Sequence, residues 1–375
     1  MEDKIPVINY CSDIILFEQW KYYDIYLETV KRYNSFCDFE PDDFTIYICK
    51  SLNLFSGYDK ENDYILFDTQ LARLFLRCNA LWQDKELQET EFFSHLCFLV
   101  LLHKTVVEEL VFFTVAALDL FCENMTSLAD ERFWEDFDFD SVFKTTHIQN
   151  MITFGHEIYH RFLEQNPQKK DLIFNQDDEI INLVDNNKFQ DYDQNLLEEG
   201  VCDWFAVKIL LDNAKDEHEK NNIIQAYIFS LLNLSLLSLL KSLGTIPEDT
   251  EIWGKKSEKI LQNLQSRINF FTEHLAYYSK TNNEDKLFLF FIKTASASLE
   301  RFSSILKENM DNILDKFPRK VIEKNDGDFV KYYPKIGYRN KFNDSISNLT
   351  KLAQNLLLGK LDVFDCCIFP ESEIS

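Results

Sequence analysis

Glycine and proline are scarce, with 8 Gly and 7 Pro in 375 residues. Few positions can therefore break a helix or build a tight turn, which favours long helices over many short strands. Positive charge is also under-represented: 39 Lys and Arg stand against 63 Asp and Glu, a formal net charge of −24. Such a surface repels phosphate backbones and anionic lipid, so neither nucleic acid nor a membrane surface is expected as a partner. The nine cysteines include no C-x-x-C pair. An odd number without paired spacing argues against a disulfide framework or a cysteine-based zinc site and fits a reducing compartment. No glycine-rich phosphate loop, no G-x-S-x-G and no fixed-period repeat occurs. The opening residues show no basic segment followed by an apolar core, so no secretory signal and a cytoplasmic location are expected.

What is abundant is apolar and aromatic. Hydrophobic residues make up 46%, with 34 Phe and 16 Tyr, enough for a large buried core. Two stretches approach the length of a membrane span. Leu96 to Phe121 is broken by His103, Lys104, Glu108 and Glu109 and reads as a core helix. Asn221 to Leu240 is uncharged but diluted by Gln225, Ser230, Asn233, Ser235 and Ser238, so no membrane span is expected there either.

The periodicities predict a predominantly α-helical α+β fold with a small N-terminal sheet. Residues 1–40 read as helical, Phe44–Cys49 and Tyr64–Phe67 as strands, and Thr69 as the cap of a helix reaching about Trp82. A long helix from about Thr90 to Phe121 and an acidic aromatic loop, Ala129–Phe143, follow. Asn166–Gln194 reads as a long loop or lid. Helices are then predicted at Asn195–Asn213, Asp216–Leu243, Ile252–Tyr278, Asp285–Phe317 and Asp344–Leu358. Lys324–Tyr338 reads as a short strand or irregular link. The expected division is residues 1–90 as helix and hairpin, 91–245 as a catalytic core, and 246–375 as a C-terminal helical region.

The chemistry concentrates in Phe154-Gly155-His156-Glu157-Ile158-Tyr159-His160, an H-E-x-x-H sequence within a helix predicted from Ile148 to about Leu163. Residues four apart lie about 40° from each other around a helix, so His156 and His160 can direct two imidazole nitrogens at one zinc ion, with Glu157 beside it. Two half-buried structural histidines are the plain alternative. A third ligand is expected in Leu197-Glu198-Glu199-Gly200-Val201-Cys202-Asp203. Glu199 and Asp203 share one helix face, so Glu199 can ligate while Asp203 accepts the ring N–H of a ligating histidine. Glu198, about 100° away around the helix, is the weaker candidate ligand; a solvated first-turn carboxylate pair is the plain alternative.

Together, GHEIYHRFLEQNP and LEEGVCDWFAVKIL resemble the gluzincin pattern H-E-x-x-H…E-x-x-x-D, nearest the Lit type of phage-exclusion protease, over roughly residues 40–245. The resemblance implies a zincin-like core, Zn2+ as cofactor, His156, His160 and Glu199 as ligands, Glu157 as general base and Asp203 behind a histidine. It also implies an intracellular endopeptidase acting on a protein substrate, in anti-phage defence. An edge strand beside the cleft would pair with the substrate backbone, a role open to Tyr64–Phe67, with an ordinary hairpin closing the core as the plain alternative. Cys202 replaces the usual Ala before the Asp, and the His-Pro…Arg element is not evident, Arg267 being the nearest candidate.

Glu157 would pass a proton from water to the leaving amine, and a Tyr or His would stabilise the oxyanion. Tyr227, Tyr277, His274 and His147 all qualify. A catalytically silent scaffold of the same shape, and an effector restrained by a regulatory protein partner acting through Asn166–Gln194 or the C-terminal helices, are the other readings.

Overall fold

The computed structural model describes residues 16–37, 45–49, 55–83, 139–174, 194–244, 250–316, 319–325, 327–333 and 338–358. The fold is a predominantly α-helical α+β arrangement. In chain order, α1 (Leu16–Cys37) leads into β1 (Thr45–Cys49), β2 (Gly57–Asp59), β3 (Tyr64–Asp68) and α2 (Thr69–Gln83). Five helices follow: α3 (Phe139–Gln165), α4 (Pro167–Phe174), α5 (Gln194–Asp212), α6 (Glu217–Gly244) and α7 (Thr250–Asn282). The described chain closes with α8 (Asp285–Lys316), a hairpin of β4 (Arg319–Asn325) and β5 (Gly327–Tyr333), and α9 (Tyr338–Leu357).

Helix α5 is the hub. Its buried residues, among them Leu197, Val201, Cys202, Ala206, Val207 and Leu210, surround the helix, as a helix enclosed by others requires. It packs against α3, α6 and α7. Helix α6 is the one described helix long and apolar enough to cross a membrane, and 83% of its apolar window is buried. Asp216 and Glu219 shape its start: Asp216 Oδ1 accepts the Glu219 N–H (2.8 Å), and Glu219 Oε2 accepts the Lys215 N–H (2.9 Å). The apolar core is one cluster, running from Ile25 on α1 to Leu356 on α9.

The small sheet has the order β1-β3-β2. Strand β1 pairs parallel with β3, Thr45 opposite Tyr64, and β2 pairs antiparallel with β3, Tyr58 opposite Ile65. Tyr64–Phe67, expected as the edge beside the cleft, is therefore the central strand. The reason lies in its alternation: Ile65 and Phe67 are buried, and Phe67 stacks on Phe154 of α3 (centroids 4.3 Å apart). The edge belongs to the three-residue β2.

Three boundaries also differ. Phe139–Phe143, expected in a loop, is the first turn of α3, favoured by Asp140 at the positive helix end and by the buried Val142. The stretch after Asn166 begins as a helix: Pro167 opens α4, and Asn166 O accepts the Lys169 and Lys170 N–H groups (2.9 and 3.1 Å). Within Lys324–Tyr338 the strand is one arm of the β4–β5 hairpin, where Asn325 pairs with Gly327. The helix expected at Thr90–Phe121, the loop before Phe139, the tract after Phe174 up to Asp193, and residues 1–15 lie outside the described residues.

A buried set of amides joins α2, α3 and α6. Asn79 Nδ2 donates to Gln149 Oε1 (2.7 Å) and Thr146 Oγ1 (2.8 Å), while Asn79 Oδ1 accepts from Gln149 Nε2 and Asn233 Nδ2 (both 3.1 Å). Trp82 Nε1 completes it on Asn233 Oδ1 (2.5 Å). Asn79, Gln149 and Asn233 are fully buried. Partners at nearly every polar atom make such a set permissible inside a core and fix the helices' relative register.

Candidate metal centre

Two glycines let the site helices come close to their neighbours. A Cβ at Gly155, immediately before His156, would lie 1.8 Å from the Tyr33 hydroxyl. That hydroxyl donates to Ala206 O on α5 (2.6 Å), so Tyr33 wedges between α3 and α5. A Cβ at Gly200, immediately after Glu199, would lie 2.9 Å from the Phe270 ring of α7. Glycine costs about 1 kcal/mol relative to alanine inside a helix, and here that cost yields contact distances no side chain would permit.

At this approach, α3 and α5 bring His156, His160 and Glu199 together, their ligand atoms all within 4.8 Å of one another. The two Nε2 atoms are 3.0 Å apart. Glu199 Oε2 is 3.3 Å from His156 Nε2, and Oε1 is 3.4 Å from His160 Nε2. Behind the rings, His156 Nδ1 meets Asp203 Oδ1 at 2.9 Å and His160 Nδ1 meets Glu198 Oε1 at 3.1 Å. Ionised carboxylates accept only, so each Nδ1 carries a proton, and in the neutral ring each Nε2 presents a lone pair. Two such lone pairs facing each other beside a carboxylate form a donor set suited to a metal cation.

The surrounding charge favours a cation at this point, whether a proton or a metal ion. Burial opposes charge on the His156 ring, but Asp203 and Glu199 outweigh it and push its pKa up to about 10. Burial also opposes charge on His160, yet Cys202, Glu198 and Glu199 raise its pKa. Partial burial of Glu199 opposes its charge, but His156, His160 and Arg267 hold its carboxyl well below the usual range. The carboxylates around the two Nε2 atoms thus draw positive charge to that point.

Asp203 is 3% exposed and fully engaged. Besides His156, it accepts Arg267 Nε (2.7 Å) and a second guanidinium nitrogen (2.6 Å), and Tyr227 Oη (3.1 Å). A third Arg267 nitrogen stands 3.7 Å from Glu199. Arg267, noted in sequence only as a stand-in for a missing element, is thus the clamp behind the centre. Of the four oxyanion candidates, the structure brings only Tyr227 to the cleft. His274 is turned into the core, its Nδ1 on Phe270 O (2.8 Å); His147 faces Glu28 (3.3 Å) in another groove; Tyr277 is on the surface.

Glu157 lies beside the rings, 8% exposed, and burial raises its pKa. Its Oε2 accepts the Tyr58 N–H of β2 (2.8 Å), leaving Oε1 for other partners. Strand β2 is held over α3 by Arg161, whose Nε and a terminal nitrogen donate to Asp63 (2.7 and 3.0 Å). The Tyr58 hydroxyl joins the same carboxylate (3.0 Å), and Asp63 takes a left-handed φ of 50° at the hairpin turn.

The centre lines a cleft of about 560 Å³. One part is apolar, with Leu71, Phe75, Ile152, Leu231 and Leu234; another is charged, with Glu164, Lys170 and Glu198. Glu198 therefore stands behind the His160 ring and is not one of the three converging groups. Sequence reasoning had its angle on the helix but not its target. Lys170, the Tyr58 amide and the Arg161–Asp63 pair gave no sequence signal, because each acts across elements. Comparison of the chain with protein-family models, with curated proteins and with solved structures finds no match.

Proposed function

We propose that this protein is a zinc-dependent endopeptidase with a zincin-like core, in keeping with the gluzincin resemblance, acting on an intracellular protein. The observation that carries the proposal is the convergence of His156, His160 and Glu199 while both Nδ1 atoms are held by carboxylates. Zn2+ fits this nitrogen- and carboxylate-rich set, and when bound it supplies Lewis acidity at the cleft.

The rest is the work of the chain. Glu157 has Oε2 fixed by the Tyr58 amide, so Oε1 takes the proton of the attacking water and returns it to the departing amine. A pKa raised by burial suits both transfers, because the carboxyl must hold the proton between them. Gly57 and Tyr58 line the cleft on the outer strand of the sheet, where an extended peptide can align. Asp203, clamped by Arg267 and Tyr227, keeps the His156 ring from turning.

Two measurements test this. Purified protein should contain about one zinc per chain, and His160→Ala should lose it. In a search for new protein termini in cells, cleavages found with the wild type should disappear in Glu157→Gln, which should keep its zinc. Zinc retained without any Glu157-dependent cleavage would replace the peptidase with a silent scaffold.

A further inference from the structure

We infer that Glu198 and Lys170 form a positioning pair for His160, which makes the short helix α4 part of the support of the metal centre. The inference rests on the metal-binding reading above. His160 can offer its Nε2 lone pair only while Nδ1 donates elsewhere, and the acceptor is Glu198 Oε1 at 3.1 Å. A single carboxylate oxygen on a flexible glutamate would leave the ring free to swing. The other oxygen, Oε2, is held by Lys170 Nζ at 3.3 Å, and the same ammonium grips Glu164 Oε1. Both side chains are largely shielded, Lys170 at 20% and Glu198 at 13% exposed, so the contact is not a freely solvated surface pair.

The elements explain why the lysine arrives there. Helix α3 ends at Gln165, only Asn166 intervenes, and Pro167 starts α4 at once. The chain turns back, and α4 packs against both α3 and α5, which sets Lys170 across from the start of α5. A ring held in one tautomer and one orientation binds a cation more tightly; outer partners of this kind are worth about 10- to 100-fold in metal affinity. Movement of α4 would withdraw the ammonium from Glu198 and loosen His160 without touching a ligand.

The test is zinc affinity of the full chain, measured by competition with a chromophoric chelator. Glu198→Gln is expected to weaken zinc binding by about 10-fold or more. Lys170→Met should weaken it several-fold, and Lys170→Arg should restore it. In Glu198→Gln the lysine keeps Glu164 but loses the carboxylate that ties it to His160, so adding Lys170→Met should change affinity no further. Cobalt-loaded Glu198→Gln should also show an altered visible absorption spectrum, which a general loss of stability would not produce. Wild-type affinity in Glu198→Gln or in Lys170→Met overturns the inference, as does full additivity of the two. Affinity unchanged even in His160→Ala would instead overturn the metal-binding reading, so the two failures are distinct.

Discussion

The two imidazoles of the centre are braced in opposite ways. His156 leans on Asp203, which is sunk in the core and gripped by Arg267 from α7 and Tyr227 from α6. His160 leans on Glu198, nearer the rim, with a lysine from the neighbouring α4 behind it. Removing one partner of a buried pair strands a charge and costs several kcal/mol. The two cations are about equally shielded, but the Asp203 side chain is 4% exposed against 13% for Glu198, so the loss should be larger behind His156.

The sharpest way to break that contrast is Arg267→Ala. It leaves Asp203 buried with only His156 and Tyr227, and is expected to lower stability by about 3–5 kcal/mol in urea unfolding of chelator-treated protein. Lys170→Met should cost less, about 1–2 kcal/mol, in the same assay, because Glu198 is less deeply buried than Asp203 and keeps His160 as a partner. Equal costs would erase the distinction. Next, Gly155→Ala drives a methyl into the Tyr33 hydroxyl on the buried side and should cost about 1–3 kcal/mol, read as a lower thermal midpoint. An unchanged midpoint would mean that α3 and α5 do not need their close approach.

The smallest effect concerns pH and the half-exposed pair next to the centre. The bond from Arg161, only partly offset by burial, holds the Asp63 carboxyl below its usual value. A depressed carboxyl pKa means that the pair's stabilisation is complete above the unfolded value near pH 4. It fades as the pH falls through the lower folded value. Asp63→Asn should therefore reduce stability at neutral pH and flatten that acid limb in a pH series of unfolding curves. A parallel shift at all pH values would count against the assignment.

The legible part of the site is the part written along single helices. His156, His160, Glu199 and Asp203 are each four residues from a partner, and helix geometry alone set them on common faces. Glu198 was visible as a carboxylate but not as a support for His160, because its target depends on where α3 lies. Arg267 is 64 residues from Asp203, and no local pattern announces such a contact. In the sheet, apolar strength drew attention to Tyr64–Phe67, while β2, with three residues, is too short to show alternation. The helical character of Phe139–Phe143 was hidden by an acidic aromatic run whose anchoring residue, Val142, is a single valine. Long helices such as α6 and α8 were readable because they repeat one signal over many turns.

The amides shared by Asn79, Gln149 and Asn233 carry a consequence for how this cleft can open. Sliding any one of the three helices by a turn would tear several polar groups from their partners with no water at hand, at about 1–3 kcal/mol for each orphan. Shear along the floor is thereby forbidden in practice. Any widening of the cleft is therefore expected at its outer wall, where Gly57 and Tyr58 of β2 lie, rather than between the helices beneath.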